Sequence, residues 1–122
     1  MPTHPSYTPA HGAQPLVSFI VPTYNLPVDM LRESLDSIMD LSLTQEEREI
    51  IVIDDGSINS PLAALADVID QIIYIRQPNK GAAAARNTGL GIAKGRYIQF
   101  VDGDDRLVRS GYEHCLLSLI HI

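Results

Sequence analysis

Near-continuous apolar runs that stop at polar, turn-forming residues alternate along this chain with segments whose apolar residues recur every three or four positions. The run Leu16 to Val21, ended by Pro22, predicts a strand buried on both faces, as in a parallel sheet. Leu31, Leu35, Ile38 and Met39 then recur at helical spacing, with Arg32, Glu33, Asp36 and Asp40 filling the other face of a first helix. Glu49 to Ile53 repeats the buried-strand pattern and stops at Asp54-Asp-Gly56. After it, Pro61 suits the first turn of a second helix carrying Leu62, Leu65, Ala66 and Ile69. Ile72 to Ile75 predicts a short third strand. Ala82 to Lys94 predicts an alanine-rich helix closed by Gly95 and weakened by Gly89 and Gly91. Arg96 to Val101 completes the pattern as a fourth strand, stopped by Asp102-Gly-Asp-Asp105. Residues 1 to 15, with four prolines and no apolar period, predict a disordered leader, so the folded domain is expected over 16–122.

Strands alternating with helices imply right-handed crossovers, and hence an α/β fold with an open, mainly parallel, Rossmann-like sheet between flanking helices. In such a sheet the carboxyl ends of all strands share one edge, and ligands bind there where strand order reverses. Each predicted strand ends in a polar cluster: Thr23-Tyr-Asn25, Asp54-Asp-Gly-Ser57, Pro78-Asn-Lys-Gly81 and Asp102-Gly-Asp-Asp105. Sequence-distant carboxylates should therefore meet in one site.

Composition narrows the partners. Across 122 residues, nine Lys+Arg against fifteen Asp+Glu give a net charge of −6, which disfavours a nucleic-acid partner. The basic residues are uneven, however: residues 76–122 hold seven of them, among them Arg76, Lys80, Arg86, Lys94, Arg96, Arg106 and Arg109. Such a cluster suits a small anion such as a diphosphate, and equally suits solvated helix and loop faces. A single cysteine, Cys115, allows neither an internal disulfide nor a shared zinc site, which fits a reducing, cytoplasmic setting. No apolar run reaches the roughly 18 residues of a membrane span.

Asp102, Asp104 and Asp105 place three carboxylates within four residues, and charges so close call for a cation. Hard oxygen ligands suit Mg²⁺ or Mn²⁺, whose remaining coordination is normally water and substrate phosphate, so a nucleoside diphosphate is the natural guest. Asp54 and Asp55 read equally well as an acidic pair at a site and as a strand-to-helix turn with Ser57 or Asn59 as caps. Tyr24 is placed to stack a base or simply to pack. Lys80 and Arg86 flank the start of a helix, where N–H groups and cations favour anions. Two other chemistries compete. One is a haloacid-dehalogenase-like phosphatase with Asp102 as nucleophile and Asp104 as acid/base, although that motif normally ends a first strand. The other is a receiver-like module that accepts a phosphoryl group and binds Mg²⁺ through Asp54 and Asp55.

The strand-end motifs, taken together, resemble family 2 glycosyltransferases. The blocks that carry the resemblance run in order from 17 to 105. They are Val17-Ser-Phe-Ile-Val-Pro-Thr-Tyr-Asn25, Leu35-Asp-Ser-Ile38, Ile51-Val-Ile-Asp-Asp-Gly-Ser57, Asn79-Lys-Gly81, Ala85-Arg-Asn-Thr-Gly89, Ala93-Lys-Gly-Arg-Tyr-Ile98 and Phe100-Val-Asp-Gly-Asp-Asp105. The resemblance implies a GT-A fold and transfer of a sugar, with inversion, from a UDP-linked donor to a glycan or lipid-linked acceptor. It places the enzyme in the cytoplasm or at the cytoplasmic face of the membrane. It also implies that Pro22, Thr23, Tyr24, Asp55, Lys80, Arg86, Asp102 and Asp104 surround the donor nucleotide, and that Asp104 and Asp105 hold Mn²⁺ or Mg²⁺ on its diphosphate. Ile58 departs from the family's usual Thr. The catalytic base and the acceptor half are expected beyond Ile122, so this stretch is expected to be the donor-binding half and to be inactive in transfer alone.

Overall fold

The computed structural model describes residues 14–104. Four strands and three helical segments follow one another as β1 (Val17–Thr23), α1 (Val28–Met39), β2 (Arg48–Asp54), a 3₁₀ helix (Leu62–Gln71), β3 (Ile73–Arg76), α2 (Ala82–Ile92) and β4 (Tyr97–Phe100). All pairings are parallel and the order across the sheet is β3-β2-β1-β4. The chain therefore builds outward from β1 through β2 to β3, then returns to the other side of β1 with β4. The reversal falls between β1 and β4, where an open α/β sheet leaves a crevice at the carboxyl ends of its strands.

Both faces of the two central strands are covered, which is why they read as unbroken apolar runs. Phe19, Val21, Ile50 and Val52 pack on one face against Leu31, Leu35 and Ile38 of α1 and Leu65 and Val68 of the 3₁₀ helix. Ile20, Ile51 and Ile53 face the other way, onto Ala85 of α2. Each Ile or Leu fully withdrawn from water contributes about 1.5–3 kcal/mol, so the two clusters pin the register of the sheet. Before β1, the Pro15 carbonyl accepts the Arg96 N–H at 3.0 Å. The predicted leader otherwise falls on residues 1–13, outside the described residues, as do Asp105, Arg106 and Arg109.

Three local expectations change. Pro22 does not end β1; it lies inside it, opposite Ile53. Its carbonyl faces the β4 side, where it accepts the Gly103 N–H at 3.2 Å. The missing proline N–H faces the same way, just past Phe100 where β4 stops, so the ladder loses little. The second helix is 3₁₀ rather than α, and it buries Leu65 and Val68 while Leu62 and Ile69 are exposed. Buried positions three apart fit a helix whose i and i+3 side chains eclipse. Neither Ser57 nor Asn59 caps it: Ser60 Oγ accepts the Leu62 N–H at 3.2 Å, while Ser57 Oγ accepts the Asn25 N–H at 2.8 Å. Finally α2 stops at Ile92, because Ala93 is already extended at φ −64°, ψ 136°.

Candidate functional site

A cavity of about 390 Å³ opens at the reversal point. Pro22, Thr23, Tyr24 and Leu26 line it from β1 and the loop after it, Asp55 from the end of β2, and Asn79 and Gly81 from the β3–α2 loop. Ala82, Ala85 and Arg86 of α2, with Asp102, Gly103 and Asp104 after β4, close the rest. The predicted convergence of strand ends is thus observed for Pro22, Thr23, Tyr24, Asp55, Arg86, Asp102 and Asp104. Lys80 does not line the cavity, although both its neighbours do, and Asp105 lies outside the described residues.

Asp55 is the most constrained of these groups. It is buried, and its Oδ1 accepts from Gln77 Nε2 at 2.8 Å and the Lys80 N–H at 2.9 Å, while Oδ2 accepts from the Gly81 N–H at 2.9 Å. Burial pushes its pKa up, but these three hydrogen bonds and the Lys80 charge outweigh it and hold the carboxyl below its ordinary value. The loop can close on Asp55 only because residue 56 is glycine. Gly56 has φ +82°, and a Cβ there would lie 2.7 Å from the Asn79 nitrogen.

The neighbouring carboxylate has a different task. Asp54 is fully buried and accepts from the Ser57 N–H at 3.0 Å, Tyr74 Oη at 2.7 Å and Arg76 Nη1 at 2.8 Å. It points away from the cavity lining and fastens β3 to the turn after β2, which carries the turn reading and removes Asp54 from the candidate ligands. Ser57 in turn meets Asn25, whose backbone N–H it accepts. The Asn25 side chain returns the bond by accepting the Ile58 N–H at 2.8 Å. Asn25 sits at φ 51°, a left-handed conformation that Asn tolerates, and Tyr24 precedes it at the cavity mouth. The exposed Ile58 side chain takes no part, so the departure from Thr at this position leaves the turn intact.

At the acidic rim, Arg86 Nη2 donates to Asp102 Oδ1 at 3.0 Å, and both side chains are partly exposed. Among the described basic residues, three are separately engaged: Arg76 by Asp54, Arg86 by Asp102, and Arg96 by the Tyr97 ring, 5.8 Å from its centroid. Asp102 and Asp104 are exposed carboxylates, the hard donors that Mg²⁺ or Mn²⁺ takes one or two at a time beside water and phosphate. Among the described residues, no three His, Cys, Asp or Glu side chains gather to hold an ion by themselves. Gln77, Asn79 and Thr88 were given no role from the sequence, although Asn79 and Thr88 lie in the motif blocks Asn79-Lys-Gly81 and Ala85-Arg-Asn-Thr-Gly89 and Gln77 opens the polar segment after β3.

An open parallel sheet ordered β3-β2-β1-β4 between helices, with its cavity at the β1–β4 reversal, defines a doubly wound α/β domain of the nucleotide-binding kind. The model of the family Glycosyl transferase family 2 matches residues 18–119, and the chain belongs to that family. It is 41% identical over 92 residues to the glycosyltransferase GlyA of Streptococcus pneumoniae, covering 73% of this chain and 13% of that protein. It superposes on residues 1–349 of S. aureus TarS in complex with UDP-GlcNAc with a TM-score of 0.74 at 27% identity, covering 84% of this chain and 30% of that one. A mannosyltransferase of Pyrobaculum calidifontis, in complex with GDP-Man and Mn²⁺, gives a TM-score of 0.68 at 27% identity, with 83% of this chain and 31% of that one covered. The chain thus spans under a third of the length of each of these proteins. One family running through all the strand-end clusters leaves the phosphatase and receiver readings unfavoured. Among the described residues no helix is long and apolar enough to cross a membrane.

Proposed function

We propose that this chain carries the donor site of a glycosyltransferase that takes its sugar from a UDP-linked donor. The observation that carries the reading is the cavity that gathers Thr23, Tyr24, Asp55, Arg86, Asp102 and Asp104 from three strand ends and one helix start. In this reading Tyr24 stacks on the base, Asp55 accepts a base N–H, and Thr23 and Pro22 border the ribose. Arg86 offsets diphosphate charge from the cavity wall and Lys80 from just outside it, while Asp102 and Asp104 face the ribose and phosphates. Asp104, together with Asp105, would hold Mn²⁺ or Mg²⁺. When bound, such an ion neutralises charge on the departing diphosphate. The complexes of TarS with UDP-GlcNAc and of the Pyrobaculum enzyme with GDP-Man and Mn²⁺ support a nucleotide-sugar donor of this class.

In the whole protein, the hydroxyl of a glycan or lipid-linked acceptor attacks the anomeric carbon with inversion. The bond to the diphosphate breaks and a base takes the hydroxyl proton. The reaction belongs to the cytoplasmic side, where nucleotide sugars are made. Titration calorimetry with UDP, with and without Mn²⁺, tests the donor site on the full chain and on the Asp104→Ala/Asp105→Ala variant. Metal-dependent binding lost in the variant is the expected result. Equal binding by both proteins would remove the acidic rim from the site, and no binding by the folded parent chain would remove the donor reading.

A further inference from the structure

The Asp55 carboxylate has about four acceptor positions and, among the described residues, protein donors fill three of them, two on Oδ1 and one on Oδ2. The one left open is on Oδ2, beside Gly81, and both residues line the cavity. What keeps Oδ1 filled is a chain of forced orientations. A carboxylate only accepts, so the Gln77 amide must turn its Nε2 toward Asp55 and its Oε1 away. Thr88 Oγ1 of α2 then meets that Oε1 at 2.7 Å and donates to it. The same hydroxyl lies 3.0 Å from the Ala84 carbonyl, a weaker claim on its one hydrogen.

We propose that Gln77, held by Thr88, is the positioning residue that fixes Asp55 and makes the site select a base carrying a ring N–H. This rests on the donor-site reading and adds the device that orients the recognition group. A uracil presents one ring N–H to the open place on Oδ2. Cytosine presents a lone pair at the corresponding atom and meets an anion. If Asp55 is released from Gln77, only the Lys80 and Gly81 N–H groups still hold it, its plane is less closely fixed and the distinction weakens, although nothing that touches the ligand has changed.

The test compares UDP and CDP binding by calorimetry on the full chain, with circular dichroism as the check on folding. The parent chain is expected to prefer UDP. Gln77→Leu and Thr88→Val are expected to lower UDP affinity about five- to tenfold, the order of one ordinary hydrogen bond, and to leave CDP affinity unchanged. Thr88→Ser keeps the hydroxyl and should restore the preference. Thr88→Val is nearly isosteric and carries the test even where Gln77→Leu does not fold. An unchanged UDP-to-CDP ratio in Thr88→Val, or an equal loss for both nucleotides, would overturn the inference while leaving the donor site standing. Absence of UDP binding by the folded parent chain would sink the donor reading and this inference with it.

Discussion

Arg76 at the end of β3 reaches Asp54 at the end of β2, Nη1 to Oδ2 at 2.8 Å, although the carboxylate is fully buried and the guanidinium side chain is 43% exposed. Arg76 Nη2 also donates to the Ser57 carbonyl, so one side chain spans the strand end and the turn that follows it. The asymmetry in exposure decides what each partner contributes. Asp54→Ala takes the acceptor from the Ser57 N–H and leaves Tyr74 with Ser60 and Arg76 with the Ser57 carbonyl and solvent, so with three hydrogen bonds lost at once it should cost about 2–3 kcal/mol. Arg76→Ala leaves Asp54 the Tyr74 and Ser57 donors and opens it to solvent where the half-exposed guanidinium stood, and should cost about 1 kcal/mol. Urea unfolding of the two variants checks the ranking. Equal losses would mean that the buried carboxylate is not the centre of the network.

The same groups set the pH response. Burial pushes Asp54 and Asp55 up, but their hydrogen bonds and the nearby Arg76 and Lys80 charges outweigh it, so both carboxyls fall below their ordinary value of 3.8. A depressed folded-state pKa contributes stability that is fully present above 3.8 and is lost as pH falls through the folded values below it. Tyr74 shifts the other way: burial first, then its bond to Asp54, raise it above 10.0. The neutral phenol is favoured in the fold, so stability declines as pH rises past 10. Melting temperature against pH should fall at the acid end through the two carboxyls and at the alkaline end through Tyr74. The Asp54→Asn variant should be less stable at neutral pH and show a shallower acid limb; an acid limb as steep as the parent's would assign acid unfolding to other carboxylates.

The central strands were legible because a strand covered on both faces must be apolar at every position, and Phe19 to Val21 and Ile50 to Ile53 obey that rule. The site's place was legible for a topological reason: parallel strands put all their polar stops on one edge. Tertiary pairing was not. Asp54 and Asp55 are adjacent and chemically identical in the sequence, yet one faces Tyr74 and Arg76 and the other faces the cavity and Gln77. That choice is made by loops and by residues 20 or more positions away, which no local period encodes. The 3₁₀ helix misled for a related reason. Leu62, Leu65, Ala66 and Ile69 fit an α stripe, but the sheet surface accepts Leu65 and Val68 and leaves Ile69 outside.

Two glycines of α2 make a matched pair of opposite sign. A Cβ at Gly89 would lie 2.5 Å from Cγ2 of the fully buried Ile20, so Gly89 lets α2 rest directly on β1. A Cβ at Gly91 meets nothing within 4 Å. Gly91→Ala should therefore stabilise the chain by about 0.5–1 kcal/mol through helix propensity and lost freedom in the unfolded state. Gly89→Ala gains the same propensity but forces Ile20 aside, at a cost of about 1–3 kcal/mol for overpacking, so its net effect should be destabilising. Thermal unfolding of both variants is the measurement. A stabilised Gly89→Ala would show that α2 and β1 pack less closely than the Ile20 contact requires.

Asn25 offers the sharpest link between backbone geometry and the site. Its φ of 51° would strain alanine, and its side chain and backbone make the two bonds that join the Tyr24 loop to the turn after β2. The two roles separate by substitution. Asn25→Gly accepts the left-handed φ but loses the bond from the Ile58 N–H, while Asn25→Ala loses the bond and adds strain of the order of 1 kcal/mol. If the bond positions Tyr24, both variants should weaken UDP binding by a similar factor of about three to ten, whereas only Asn25→Ala should be markedly less stable to urea. The stem below stays fixed by the Asp55 N–H donating to the Thr23 carbonyl at 2.9 Å, so the loss should be confined to the loop and the base it contacts. Parent-like UDP affinity in Asn25→Gly would show that Tyr24 is held by its own packing and that the clasp serves folding alone.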